Sequence, residues 1–308
     1  MNADVLIAIR QSDAIPSMPQ IVTRLLEVTS DANYKQDEVV ELLATDAGVT
    51  TDILRLANSA LFGLTRQVSS LRQALTILGI RRTRTLVMGR CMIERANAGP
   101  PHALDVGFYW RRSLATGVLA ARFADDVLSE RREEAFIAGL LCDIGVMVLS
   151  RALGTKYAPL AKAYSSAQTR DLLAQELKLL GVGHPEVSAL VLERWMLPEE
   201  MVAAIRHHHN SPFDALPARV GHLAAIICGA SDIARLLCHA PDKSTIAPTC
   251  TSAMALVGLP IATLGSVLQQ VEADVRELAS ALRIDVVPSQ SYELIATTIA
   301  QELSVAAP

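Results

Sequence analysis

The feature that most constrains this chain is its hydrophobic period. Apolar residues recur every three or four positions almost throughout its 308 residues. No stretch alternates apolar and polar residues long enough to form a convincing strand. The apolar 51% is drawn mainly from Leu, Ala, Val and Ile, and aromatic residues make up only 4%. Such residues pack helix on helix more readily than they build a β-sandwich. The expected fold is therefore all-α: a multi-helix bundle with an N-terminal helical subdomain packed on a larger helical domain.

Local signals divide the bundle. Pro16 and Pro19 precede a stripe of Ile21, Leu25, Leu26 and Val28, a helix opened by proline. Asp37 begins a second helix through Leu43, Gly48 is expected to break it, and Ile53 to Ala57 form a third. Ser69 or Ser70 caps a helix ending at Gly79, and a long helix follows from about Arg81 to Arg95. The run Asn97-Ala98-Gly99-Pro100-Pro101 is the clearest break, placing a boundary between residues 1–98 and 99–308. Beyond it, helices are predicted over Asp105–Val127, Glu133–Leu149, Asp171–Leu180, His184–Trp195, from Pro198 to the His207-His208-His209 run, and from Pro217 to Cys238. A proline-containing loop and two further helices complete the chain.

Composition narrows the partners. A net charge of −4 gives no global attraction for nucleic acid or an anionic membrane. Cys91, Cys142, Cys228, Cys238 and Cys250 form no CxxC pair, which argues against a disulfide framework or zinc ribbon and for a reducing compartment. The N-terminus lacks the basic region and small-residue cleavage site of a signal peptide. The uncharged stretch between Lys243 and Glu272 could nominally span a bilayer, but two prolines, two glycines and many Ser and Thr interrupt it. A cytoplasmic protein with no membrane partner is expected.

Three motifs carry chemistry. Ala44, Gly48-Val49 and Ile53 have the spacing of a helix-turn-helix. The following helix, Thr51-Asp52-Ile53-Leu54-Arg55-Leu56, is too apolar to read base edges, so packing into a core explains it better. Arg81, Arg82, Arg84, Arg90 and Arg95 form a basic run spread around a helix, which reads as a solvated or partner-binding face. Asp143, His184, His208, His209 and Asp232 lie near ends or on faces of predicted helices. A bundle can bring such carboxylate and imidazole donors together around divalent or iron ions. The plainer alternative has Asp143 bonding locally and the histidines partly exposed at a helix C-terminus.

An ordered series of blocks resembles the HDOD domain family. They are Ile15-Pro-Ser-Met-Pro-Gln, Leu54-Arg-Leu-Ala-Asn-Ser-Ala-Leu-Phe-Gly, Val68-Ser-Ser-Leu-Arg-Gln-Ala and Leu78-Gly-Ile-Arg-Arg, then Trp110-Arg-Arg-Ser, Ala135-Phe-Ile-Ala-Gly-Leu-Leu-Cys-Asp-Ile-Gly, Gly183-His-Pro-Glu-Val, Leu192-Glu-Arg-Trp and Ile205-Arg-His-His-His. The resemblance covers about Ile15 to His209 and implies an HD-like helical fold related to the HD and HD-GYP phosphohydrolases. It also implies a mainly regulatory role in bacteria, in a setting such as cyclic-dinucleotide, motility or biofilm control.

The departures from that pattern carry the functional expectation. Where metal-binding relatives have an His-Asp dyad, this chain has Cys142-Asp143, and the upstream histidine position is Arg112. A thiol is a poor ligand for hard metals, and a buried arginine places a fixed positive charge where a metal would sit. The primary expectation is a non-catalytic signal-transduction module or scaffold with no required cofactor, binding signalling proteins or a small ligand. Arg112, Cys142, Asp143, His184, His208, His209 and Asp232 are its pocket residues, suited to an anion or nucleotide. The alternative is a divergent metal-dependent phosphohydrolase using Asp143, His184, His208 and Asp232 with a divalent metal or iron. A DNA-binding regulator ranks third.

Overall fold

The computed structural model describes residues 7, 9, 14–15, 17–30, 33–58, 67–98, 103–165, 172–239, 242–282 and 287–306. Pro16, residues 59–63 of the second sequence block, the Gly99-Pro100-Pro101 break and Asp171 lie outside the described residues, as do the side chains of Arg81 and Arg82. Fifteen α-helices and three short 3-10 turns account for the regular structure among the described residues. They are α1 (Gln20–Val28), α2 (Gln36–Ala44), α3 (Ala47–Asn58), α4 (Leu71–Asn97), α5 (Val106–Val127), α6 (Arg132–Leu141), α7 (Ile144–Leu153) and α8 (Ala158–Tyr164). Next come α9 (Leu172–Leu180), α10 (His184–Arg194), α11 (Glu199–His207), α12 (Ala218–Cys238), α13 (Lys243–Val257), α14 (Leu264–Leu282) and α15 (Ser289–Ala306). The all-α expectation holds.

Local chemistry accounts for several helix starts. The Ser70 hydroxyl accepts from the Gln73 amide and opens α4. Gly79, at φ 73° and ψ 165°, kinks α4 where the sequence predicts a helix end. The Asp105 carboxylate accepts from the Phe108 amide at 2.9 Å and opens α5.

Three expectations are corrected. The predicted Glu133–Leu149 helix is two, because Cys142 and Asp143 interrupt it between α6 and α7. Gly48 does not break a helix: it lies in the first turn of α3, where the Asp46 carboxylate accepts from the Val49 amide at 2.9 Å and sets the start. The proline-containing loop after α12 is helix α13, so three helices follow α12 instead of two. Pro248 removes one backbone donor, while Ile246, Cys250, Ala253, Met254 and Val257 bury one face of α13, which packs on α12.

Helix α5 is the axis. Fifteen of its residues are buried, and it packs against α6, α12 and α14. Its closest neighbour is α6, and glycine permits the approach. A Cβ on Gly117 would lie 2.8 Å from the Phe136 carbonyl oxygen, and one on Gly139 would lie 2.9 Å from that of Thr116. On another side, the Arg122 guanidinium clamps α14 through the almost fully buried Asp274, at 2.5 and 2.6 Å. The N-terminal helices join this body where α4 packs on α6 and α14 on α3. In α3, Val49, Ile53 and Ala57 face the core, and Asp52 pairs with Arg90 at 2.8 Å.

The apolar content serves this core. Ser129–Lys156 and Ala218–Cys238 have the length and hydropathy of membrane spans, yet 83% and 78% of their apolar windows are buried inside the fold. The uncharged stretch after Lys243 belongs to two helices bent by 109°.

Gly139→Ala is expected to destabilise the protein by about 1–3 kcal/mol, because backbone faces the added methyl. Gly265→Ala, with nothing within 4 Å of the new Cβ, should leave stability unchanged or raise it slightly. Urea unfolding of the two variants checks the contrast.

Candidate functional site

The site begins at the break between α6 and α7. Asp143 sits there at φ −97° and ψ 12°, and its carboxylate makes no capping bond to α7. The local-bonding alternative is thus not what the structure adopts. The side chain turns into the body of the bundle, with only 4% of the residue exposed. Two residues on, Gly145 brings α7 against α10. Its amide donates to the Ser188 hydroxyl at 2.8 Å, and a Cβ there would fall 2.2 Å from the His184 carbonyl oxygen. This backbone contact sets His184, the first residue of α10, beside Asp143. At the far end of α11, the chain delivers His208 and His209 to the same point.

One donor atom from each of Asp143, His184, His208 and His209 lies within 4.8 Å of the others. His184 Nε2 is 3.5 Å from Asp143 Oδ1, and His208 Nε2 is 3.6 Å from the same oxygen. His209 reaches in from the exposed rim, its Nε2 3.1 Å from His184 Nε2. Burial alone would push the Asp143 carboxyl up. His208, Arg112 and His184 outweigh it and hold the group well below the usual carboxylate range.

Outer partners orient two imidazoles. His184 Nδ1 donates to Glu176 Oε2 at 2.7 Å, and the His184 backbone amide donates to the same oxygen at 2.7 Å. Tyr157 donates to the other Glu176 oxygen. Burial lowers the His184 pKa, but the Glu176 carboxylate more than offsets it and leaves the ring above its ordinary value. His208 Nδ1 donates to the Ile205 carbonyl at 2.6 Å. In their neutral forms, both rings then present an Nε2 lone pair to Asp143.

Those lone pairs face an acceptor. Asp143 Oδ1 and His208 Nε2 are buried with no hydrogen-bond partner among the described residues. Two orphaned acceptors aimed at each other, with further imidazole nitrogens beside them, fit one cation. The donor set of one carboxylate and three imidazoles suits a divalent transition metal. The carboxylate and carbonyl behind His184 and His208 have the outer-shell form that orients metal-binding histidines.

Arg112 closes the other side. Its guanidinium stacks over the Tyr164 ring at 4.5 Å, reaches the Ser231 hydroxyl at 3.3 Å and lies 3.6 Å from Asp143 Oδ2. Tyr164 donates to that same Oδ2 at 3.0 Å. Arg112 and Asp143 line a cavity of about 220 Å³, with Ser231, Asp232, Arg235 and the inner faces of His184 and His209.

Two sequence expectations change. Cys142 does not line the cavity; its thiol turns back to the Gly139 carbonyl at 3.2 Å, and burial pushes it well above its ordinary pKa. Asp232 lines the cavity without joining the donor cluster, where His209 takes the fourth place. Asp232 belongs to α12, whereas His209 follows His208 directly at the end of α11. Sequence reasoning also missed Glu176, Tyr157 and Tyr164. Glu176 was legible, since it falls four residues after Leu172 on the buried stripe of α9.

Comparison with known proteins places this arrangement in a class. The fold is shared with solved helical proteins. It is similar to a protein provisionally described as a phosphohydrolase from Shewanella amazonensis SB2B, at 24% identity and a TM-score of 0.68, over 89% of this chain and 98% of that one. It is also similar to an HDOD domain protein of unknown function from Geobacter sulfurreducens, at 22% identity and a TM-score of 0.60, over 99% and 97% of the two chains. The HDOD domain model matches residues 15–211, and the chain belongs to that family. An uncharacterized Treponema pallidum protein is 26% identical over 207 residues, and the match takes in 65% of this chain but only 39% of that longer relative.

Glu176→Gln is expected to weaken divalent-cation affinity about 10–100-fold, as loss of an outer-shell partner does at metal-bound histidines. Calorimetric titration with Zn²⁺ or Mn²⁺ measures it.

Proposed function

We propose that this HDOD protein is a non-catalytic signalling module of the cytoplasm, whose HD-type site has become a one-cation regulatory centre. The observation that carries the reading is Arg112. By the family resemblance it takes the position of an upstream histidine, and its guanidinium lies 3.6 Å from Asp143 on the cavity side. A fixed cation there disfavours a second metal at the same carboxylate. The four donors would hold a single divalent ion, supplying Lewis acidity and a concentrated positive charge. Around it, Glu176 and the Ile205 carbonyl orient the imidazoles, and Tyr164 fixes one Asp143 oxygen. Two-metal activation of water lacks its second ion in such a site, so the output is a conformational or binding signal passed to partner proteins. Five free thiols fit the reducing compartment assigned.

A divergent phosphohydrolase is the second reading. The orphaned acceptors of Asp143 and His208 favour it, since a single metal can also serve hydrolysis. Metal analysis of untagged protein, paired with a phosphodiesterase assay in added manganese or iron, separates the two. The regulatory reading predicts one equivalent of metal after loading and no turnover. Turnover that disappears in Asp143→Ala would transfer the protein to the enzymes.

A further inference from the structure

We infer that a second cavity, between the N-terminal helices and the larger body, binds a short free peptide: a compact zwitterion whose ammonium and carboxylate flank an apolar body. The inference goes beyond the proposed reading, since this cavity shares no lining residue with the Asp143 cavity and its chemistry needs no metal ion. Leu78, Gly79, Ile80 and Arg84 of α4 form one wall, at the kink. The turn before α6 and the turn between α10 and α11 form the other. The enclosed volume, about 760 Å³, lies within the roughly 300–1,000 Å³ of sites that enclose small molecules.

The walls carry both signs of charge. Three arginines and four glutamates line the cavity, so a simple anion meets the glutamates and a simple cation meets the arginines. A ligand with one charge of each sign answers both. Its carboxylate has an anchor in Arg131, which is only 6% exposed. The Arg131 Nε donates to Glu134, whereas its Nη1 is buried and has no hydrogen-bond partner among the described residues. Glu200 Oε2 stands 3.0 Å from that Nη1 but outside hydrogen-bond geometry. Arg84 Nε is buried and lacks such a partner too. A carboxylate in the cavity supplies acceptors to these buried guanidinium donors, and charge on both sides strengthens the bonds. Toward solvent, Glu130 and Glu200 offer acceptors for the ammonium. Leu78, Ile80 and Pro198 provide apolar wall, and Met196 stands at the mouth, 69% exposed. Met196 has φ 54°, a left-handed backbone that a bulky residue rarely adopts, and its flexible thioether is suited to cover an apolar ligand side chain.

The test is calorimetric titration of the intact protein, with chelator present, using trileucine at sub-millimolar concentration. Trileucine carrying an acetylated amine and trileucine carrying a carboxamide are titrated alongside it. Uncapped trileucine is expected to bind, and each cap should weaken binding about tenfold or more, the cost of a lost charge-assisted hydrogen bond. Arg131→Gln should remove the preference for the free carboxylate. Arg84→Gln, at a half-buried position, should do the same and keeps the test open should the first variant not fold. Glu200→Gln should remove the preference for the free amine. Absence of trileucine binding, undiminished binding of either capped form, or binding unchanged in both arginine variants overturns the peptide site. With chelator present, each of these failures leaves the cation centre as it stands.

Discussion

Everything at this site depends on where the chain puts one carboxylate. Asp143 lies in the two-residue break between α6 and α7, aimed inward instead of capping the helix that follows. A buried carboxylate needs compensation. Here Oδ2 takes it from Arg112 and Tyr164, while Oδ1 faces His184 and His208. Those four arrive from α5, α8, α10 and the end of α11, so the packing of half the bundle converges on one side chain. The close glycine contacts are the mechanical counterpart. Gly117 and Gly139 let α5 lie on α6, and Gly145 lets α7 lie on α10. Any added side chain would spread the elements that hold the donors in register.

The electrostatics then divide the site into two halves. On one side, imidazoles oriented from behind turn their Nε2 atoms toward Asp143 Oδ1. On the other, a permanently charged guanidinium faces Oδ2. One half is built for a cation and the other already contains one. Arginine cannot give up its charge as histidine can, so on the proposed reading Arg112 limits the number of ions the site takes. On the proposed reading, a fold shared with proteins described as phosphohydrolases is compatible with a regulatory role.

The helical class was legible because an amphipathic period survives local detail, and α5 and α12 follow their predicted spans closely. Break positions were less legible. Leu141-Cys142-Asp143-Ile144 has no Gly or Pro to announce an interruption, and Pro248 announces one that tertiary burial overrides. The site residues were visible as types and as family positions, but their grouping was not. His209 replaces Asp232 in the donor cluster because of chain direction after α11, which no spacing encodes. Cys142 was expected in the pocket because it takes the histidine position of the family's dyad, yet consecutive residues at a helix end point in different directions. Glu176 had a readable signal, a lone acid on an apolar helical stripe, whose partner only the fold reveals.

The central claim is that Arg112 leaves room for one cation, and the most direct measurement is anomalous diffraction at the manganese edge from crystals soaked in excess Mn²⁺. The account predicts one anomalous peak, bounded by Asp143, His184, His208 and His209, with the Arg112 guanidinium still beside Asp143 and Ser231. Two peaks bridged by Asp143, with Arg112 displaced from the cavity, would contradict it.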